Sequence, residues 1–164
     1  MNKKYLIELA DYNIWANNLI CDWLTQISEE QFIQFVGGSF KNIQETALHI
    51  AAAEKIWLER LHDNVQEWLG FTFKGDRTEL IESWKNYSQN LKQYIEHTSD
   101  EDLLEKFAFT TRDGTPYFMP RYQALAHVFN HSTYHRGQIV QSLRQVGFTN
   151  VSSTDMIGYY RKFS

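Results

Sequence analysis

Apolar residues recur every three or four positions in four long segments of the chain, a period that is typical of helices with one buried face. These segments cover residues 3–26, 42–61, 76–95 and 120–147. A helix with one apolar face needs neighbouring elements to cover that face. Four amphipathic helices in one chain therefore predict an all-α fold, namely a four-helix bundle.

Residues that cap helices support these boundaries. Asn42 and Asp76 each precede a glutamate by three positions, which is the spacing of a capping box at the start of a helix. Pro120 fits the first turn of the last long helix, and Gly147 fits its C-terminal cap. The beginnings of three helices and the end of one are thus marked independently of the apolar pattern.

A small hairpin is predicted just before the last long helix. Residues 107–111 and 115–118 flank the turn sequence Arg112-Asp113-Gly114. No linker or internal repeat divides the sequence, so we expect one domain over residues 1–164.

Composition fits a globular domain and disfavours nucleic-acid binding. Hydrophobic residues make up 43% of the 164 positions and aromatic residues 15%, which excludes the disordered class. The formal net charge is −4, and the longest basic cluster is Lys3-Lys4. A chain without a basic face is not expected to bind nucleic acid directly.

Cysteine usage and hydropathy predict a cytoplasmic protein. Cys21 is the single cysteine, which excludes an internal disulfide and suits a reducing compartment. The N-terminus lacks the pattern of a signal peptide. No apolar run approaches the ~18 residues that a membrane span needs, so no membrane partner is expected.

Three histidines spaced four residues apart are the strongest chemical signal. His127, His131 and His135 lie in the last long helix. Residues four apart share a helix face about 6 Å apart along the axis, so a neighbouring pair can bind one divalent ion. The outer two are about 12 Å apart and cannot share an ion by themselves.

Helical periodicity favours His131 and His135 as the metal-binding pair. At roughly 100° per residue, His135 projects closest to the centre of the apolar arc, and His131 lies just outside it. His127 lies further around the helix from this arc, which favours a place on the surface or a supporting contact with a metal ligand. His49, at the edge of the apolar arc of the second long helix, is the candidate third ligand. Taken alone, each histidine also fits an ordinary boundary residue without a metal.

Four segments form a recognisable set along essentially the whole chain, namely YNIWAN at residues 12–17, LHI at 48–50 with Glu54 and Trp57 after it, HVFNHSTYHRGQ at 127–138, and DMIGY at 155–159. In these segments the sequence resembles the DinB/YfiT-like superfamily. The resemblance implies a bundle with up-down-down-up connections and one divalent metal ion held by His49, His131 and His135. It also implies a homodimer.

The same resemblance implies a class of reaction. Relatives are similar to thiol-dependent enzymes, such as S-transferases that use bacillithiol. Three neutral imidazoles leave a divalent ion, zinc or nickel most naturally, with its full charge and an open position. We therefore expect a metal-dependent S-transferase that acts on small electrophiles through a metal-bound thiolate. Arg136, Arg121 and Arg60 are candidate anchors for an acidic thiol, with Arg136 the foremost, although each also fits an ordinary surface or structural arginine.

Two alternatives stay open at this stage. A metal-dependent hydrolase would need a general base, and Glu45, one turn before His49, is the obvious candidate. Its position in a capping box is the simpler explanation. A non-enzymatic metal-binding bundle in a stress response would need neither a pocket nor a thiol.

Overall fold

Four long helices account for most of the chain. The computed structural model describes residues 2–111 and 113–163. Its elements, in chain order, are α1 (Lys3–Leu24), α2 (Glu29–Ile33), α3 (Ile43–Leu61), α4 (Leu69–Thr72), α5 (Arg77–His97), α6 (Asp100–Leu104), β1 (Lys106–Thr110), β2 (Pro116–Pro120), α7 (Arg121–Gln145) and α8 (Met156–Phe163). The predicted all-α bundle is confirmed, and α1, α3, α5 and α7 are its long helices.

The apolar core is divided into two clusters, one at each end of the bundle. The first contains Ile20 of α1, Ile50 of α3, Trp84 of α5 and Leu143 of α7. The second contains Leu6, Leu61, Leu91 and Leu125 from the same four helices. Helix α1 therefore runs from the second cluster to the first, α3 and α5 run the opposite way, and α7 returns. This is the predicted up-down-down-up arrangement.

A polar network centred on Glu54 separates the two apolar clusters. Glu54, in α3, has no exposed surface. Its carboxylate accepts hydrogen bonds from Asn13 and Asn17 of α1, each at 2.9 Å. It also accepts from Ser88 of α5 at 2.6 Å and from Ser132 of α7 at 3.0 Å. One carboxylate thus connects all four long helices, and we call this set the Glu54 network.

Arg136 of α7 supplies the positive charge that matches Glu54. Its guanidinium donates to the side-chain oxygens of Asn13 at 2.6 Å and Asn17 at 2.8 Å. Each asparagine therefore accepts from the arginine and donates to the carboxylate. Such a relay satisfies the carboxylate of Glu54 and the Nη1 group of Arg136 without direct contact between the two charges, while the buried Nε of Arg136 has no hydrogen-bond partner.

The connection before α7 is the predicted hairpin. Strands β1 and β2 pair antiparallel, with Phe107 opposite Met119. Arg112, in the predicted turn, lies outside the described residues. Pro120 ends β2 and precedes α7 rather than lying in its first turn. After α7, Gly147 adopts a φ of +89°, the left-handed conformation that commonly ends a helix.

The other connections complete the molecule. Residues 62–76 join the parallel helices α3 and α5 and contain the short helix α4. Helix α8 lies near the end of the chain and packs against α1, with Tyr159 near Tyr12 and Trp15. In residues 2–111 and 113–163, no helix combines the length and apolar character needed to cross a membrane.

We predict that Glu54→Gln destabilises the protein by about 2–4 kcal/mol. The amide group would place donors against the donors of Asn13, Asn17 and the two serines, and it would leave Arg136 buried without a counter-charge. Urea unfolding gives the free energy of unfolding. Glu82→Gln, at an exposed position of α5, is the matched control and should stay within about 0.5 kcal/mol of the parent protein. An equally stable Glu54→Gln variant would contradict a central role for the network.

Candidate metal centre

His49, His131 and His135 converge between α3 and α7. One ring nitrogen from each lies within 4.8 Å of the others, close enough for the three to hold a metal ion. The Nε2 atoms of His49 and His131 are 3.0 Å apart. We call these residues the histidine triad. The structure thus brings the three predicted residues together, and their role as ligands stays a prediction.

The antiparallel packing of α3 against α7 places the triad. His131 and His135 lie one turn apart on α7, and their ring centroids are 4.4 Å apart. The ring of His49 approaches both, at 4.9 Å and 4.6 Å. The alanines at residues 51–53 of α3 are buried, and their small side chains let helices pack closely around this part of α3.

Burial keeps the triad neutral at physiological pH. It lowers the pKa of His49 to about 4, with a smaller contribution from His135. Burial also lowers the pKa of His131 to about 3, and the three neighbouring histidines add to the effect. The pKa of His135 is lowered by burial as well, although the hydrogen bond that it donates to Gln138 acts in the opposite direction. Neutral imidazole is the form that binds metal ions.

Hydrogen bonding around the rings fits a metal ion. Nδ1 of His135 lies 2.7 Å from Oε1 of Gln138. That oxygen accepts a hydrogen bond, so Nδ1 carries the proton and Nε2 is left with its lone pair for an ion. Between His49 and His131, one of the facing Nε2 atoms must donate a proton in the absence of an ion. An ion would replace that proton, so the donor set fits a divalent metal.

Aromatic side chains surround the triad. The ring of Phe40 lies 4.7 Å from that of His49 and 5.6 Å from that of His135. Trp68, just before α4, lies 6.0 Å from His49. Neither residue was predicted to be near the site, because each belongs to a connection whose path the helical pattern does not specify.

A cavity of about 440 Å³ opens beside the triad. It is lined by the loop at residues 36–40, by Gln138 and by the exposed Tyr134 of α7. A larger cavity of about 690 Å³ lies elsewhere and is lined by Phe129, Val140 and Arg144. At 100° per residue, these three side chains lie roughly half a turn around α7 from His131. The larger cavity is therefore on the other side of α7, and we base the functional argument on the smaller one.

His127 lies beside the triad and not in it. Its ring is exposed and stands 5.9 Å from that of His131, with Trp57 at 5.1 Å on the other side. The order of burial along α7 follows the predicted periodicity, since His135 is 7% exposed, His131 is half-buried and His127 is exposed. The remaining histidines, His62 and His97, lie at the ends of α3 and α5, away from the triad.

The interpretation of Arg136 as an anchor for an acidic thiol is wrong. Its side chain is 1% exposed, and its guanidinium is bound by Asn13, Asn17 and, at 2.6 Å, Thr133. A solute cannot reach it. Arg121 also contacts the protein itself, donating to the backbone oxygens of Asp102 and Glu105 at 3.3 Å.

Both nearby glutamates have structural roles. Glu45, the candidate for hydrolysis, accepts a hydrogen bond from the backbone N–H of Lys41 at 3.0 Å. Its own N–H is capped by Asn42 at 2.8 Å, as the capping spacing predicted. Glu54 is enclosed in its network. Sequence analysis missed the role of Glu54, although an isolated acidic residue after three alanines was a signal for a buried carboxylate.

Comparisons with known proteins agree with this architecture. The chain is 25% identical to Protein DinB of Bacillus subtilis (strain 168) over 152 residues, which cover 89% of this chain and 88% of that protein. A solved DinB-like protein from Bacillus cereus ATCC 10987 superposes with a TM-score of 0.64 at 20% identity, covering 84% of this chain and 90% of that one. A DinB-like protein from Bacillus subtilis superposes with a TM-score of 0.66 at 15% identity, covering 90% and 97%.

The two structural matches support the fold. Membership of a family is supported by a match to the sequence. The model of the DinB family matches residues 1–161, nearly the whole chain. The resemblance inferred from the four sequence segments is thereby confirmed, and the chain belongs to the DinB family.

Proposed function

We propose that this protein is a divalent-metal-dependent S-transferase that joins a small thiol, of the bacillithiol type, to an electrophile. His49, His131 and His135 would be the metal ligands. The observation that carries the proposal is the convergence of three neutral imidazoles, without a carboxylate or thiol among them, beside an open cavity. Three protein ligands leave a position for another molecule, whereas structural zinc sites close with four.

The residues around the triad suit a thiol-transfer site. A divalent ion would supply positive charge that favours the thiolate form of a thiol at neutral pH. Gln138 would hold His135 in the binding tautomer, and Phe40 and Trp68 would shield the site from water. In the transfer, the sulfur forms a bond to an electrophilic carbon. The leaving group departs with the electron pair of the broken bond, and the thiol proton passes to water.

The thiol would come from a cosubstrate. Cys21 is the single cysteine of the chain and is fully buried in the first core cluster. Burial raises the pKa of its thiol to about 12, so it remains protonated at neutral pH. A thiol transferase with this sequence therefore needs a separate small thiol.

A homodimer and a cytoplasmic location complete the proposal. The resemblance to the DinB/YfiT-like superfamily is the support for the dimer, and the lone reduced cysteine is the support for the location. Light scattering on the purified protein measures the number of chains per particle.

We predict about one divalent ion per chain in protein purified without an affinity tag or chelator. His135→Ala should lose the ion because two ligands hold it poorly, and it should lose consumption of bacillithiol with chlorodinitrobenzene in parallel. Elemental analysis and thiol titration on the same samples make the measurement.

His127→Ala is the matched control, since it removes a histidine from the same helix and should keep the ion. Metal lost from His135→Ala without any change in thiol transfer would leave a metal-binding bundle whose chemistry lies elsewhere. Retention of the ion by His135→Ala would contradict the ligand assignment itself.

We predict that Gln138→Leu weakens zinc binding by about 10–100-fold. The substitution removes the acceptor that keeps the proton on Nδ1 of His135. Competition with a chromophoric chelator measures the affinity. Gln141→Leu changes an exposed glutamine of the same helix and should leave the affinity unchanged. Equal losses in both variants would show that the His135–Gln138 bond has no special role.

We predict that the metal-free protein becomes less stable as the pH falls from about 7 to about 5. In the unfolded chain the histidines titrate near 6.5, whereas His49 and His131 in the folded protein titrate near 4 and 3. The unfolded state therefore binds more protons in this window, so stability is greatest above pH 6.5 and declines below it. The urea midpoint measures the effect.

His131→Gln should flatten this pH dependence, because it removes the histidine whose pKa is lowered most. Saturating zinc should raise the midpoint of the parent protein at neutral pH and not that of the variant. A midpoint of the metal-free parent that stayed constant between these two pH values would contradict neutral, buried histidines.

A further inference from the structure

A second cavity lies next to the histidine triad on the side of the hairpin. It measures about 470 Å³ and is lined by Trp57, Arg60, Phe109, Thr111, Tyr117, Met119 and His127. This volume lies in the range of small-molecule sites. His127 belongs to its wall and stands one helical turn, about 6 Å along the axis, before His131. The cavity therefore adjoins the triad through His127, and we call it the Arg60 cavity.

Arg60 is the cationic group of this cavity. Its guanidinium carbon lies 4.7 Å from the ring centroid of Trp57 and 5.1 Å from that of Phe109. Stacking of this kind holds the planar group in place without neutralising its charge. The guanidinium also donates to the backbone oxygen of Thr110 at 3.3 Å, which ties α3 to the hairpin.

Arg60 has no counter-charge among the residues that the structure describes. Within residues 2–111 and 113–163, none of the ion pairs includes Arg60, and its buried Nε has no hydrogen-bond partner. Partial burial lowers the pKa of Arg60, and its charge in turn helps to lower the pKa of His127. A half-buried cation without a counter-ion creates a positive potential that an anion would relieve.

We infer that the Arg60 cavity binds the carboxylate of a small organic molecule whose other end reaches the histidine triad. The guanidinium would receive the carboxylate, and Trp57, Phe109 and Tyr117 would cover an apolar or aromatic body. Arg60 would thereby fill the role that Arg136, being buried, cannot fill. The statement that the bound molecule extends to the triad rests on the proposed function, in which this molecule would be either the thiol or the electrophile. The carboxylate site itself rests on the cavity alone.

Binding of benzoate to the metal-free protein tests the site without requiring any activity. Benzamide, which has the same shape and no charge, is the matched ligand. The parent protein should bind benzoate more tightly than benzamide by about ten-fold, because a guanidinium–carboxylate pair is stronger than a neutral contact. The fluorescence of Trp57 and the NMR signals of the His127 ring, identified with His127→Gln, should change on binding.

Arg60→Gln should abolish the preference for benzoate, and Arg60→Lys should retain part of it. Arg144→Gln removes an exposed arginine that lines the larger cavity across α7, and it should bind benzoate as the parent does. Thermal unfolding of each variant shows whether a loss of benzoate binding comes from misfolding. If Arg60→Gln is misfolded, the preference of Arg60→Lys for benzoate over benzamide decides the question. Equal binding of benzoate and benzamide by the parent, or equal losses in the Arg60 and Arg144 variants, would overturn the inference.

Steady-state kinetics then identify which substrate carries the carboxylate. With bacillithiol as the thiol, Arg60→Gln should raise the KM for either the thiol or a carboxylated electrophile by about ten-fold, with kcat little changed. A KM unchanged for both would overturn the link to the triad. If the loaded protein shows no thiol transfer at all, the proposed function fails, while benzoate binding still tests the carboxylate site.

Discussion

The hydrogen bonding of one buried carboxylate is the constraint on which the rest of this structure depends. Glu54 accepts from side chains of α1, α5 and α7, and Arg136 is held by the same two asparagines that hold Glu54. A buried charge that loses its partners is costly, so these groups tolerate few relative positions of the four helices. Apolar clusters at the two ends would accept more ways of packing than the network does.

The candidate metal centre depends on that constraint. Ser132, which donates to Glu54, follows His131 directly in α7, and Glu54 lies five residues after His49 in α3. Fixing Ser132 against Glu54 therefore fixes the height at which the histidines of α7 meet the histidine of α3. A shift of one helical turn, about 5.4 Å, would separate Nε2 of His49 from Nε2 of His131. The polar network thus determines the geometry of the triad without contributing to its chemistry.

Two arginines of this chain illustrate how the same side chain takes opposite roles. Arg136 is enclosed by amide oxygens and neutralised through them by Glu54, so its charge serves stability. Arg60 lies between two aromatic rings at the rim of a cavity, where its hydrogen bond is to a backbone oxygen. The first charge is used inside the protein, and the second remains available to a ligand. The two arginines differ in role because their surroundings differ, and not because of their positions relative to the histidines.

The sequence by itself determined the helices, their caps and the order in which the histidines of α7 are buried. These are local properties, since capping needs residues three apart and burial of His135 before His131 and His127 follows from the helical period. Tertiary structure alone decided what lies far apart in the chain. Asn13 meets Arg136 across 123 positions, and His49 meets His131 across 82. A helical pattern gives the direction of a side chain about its own axis, but not which residue of another helix faces it. For that reason helical periodicity offered His49 only as a candidate third ligand for the His131–His135 pair, and the resemblance to a family implied that all three hold one ion. The binding role predicted for Arg136 is one that burial prevents.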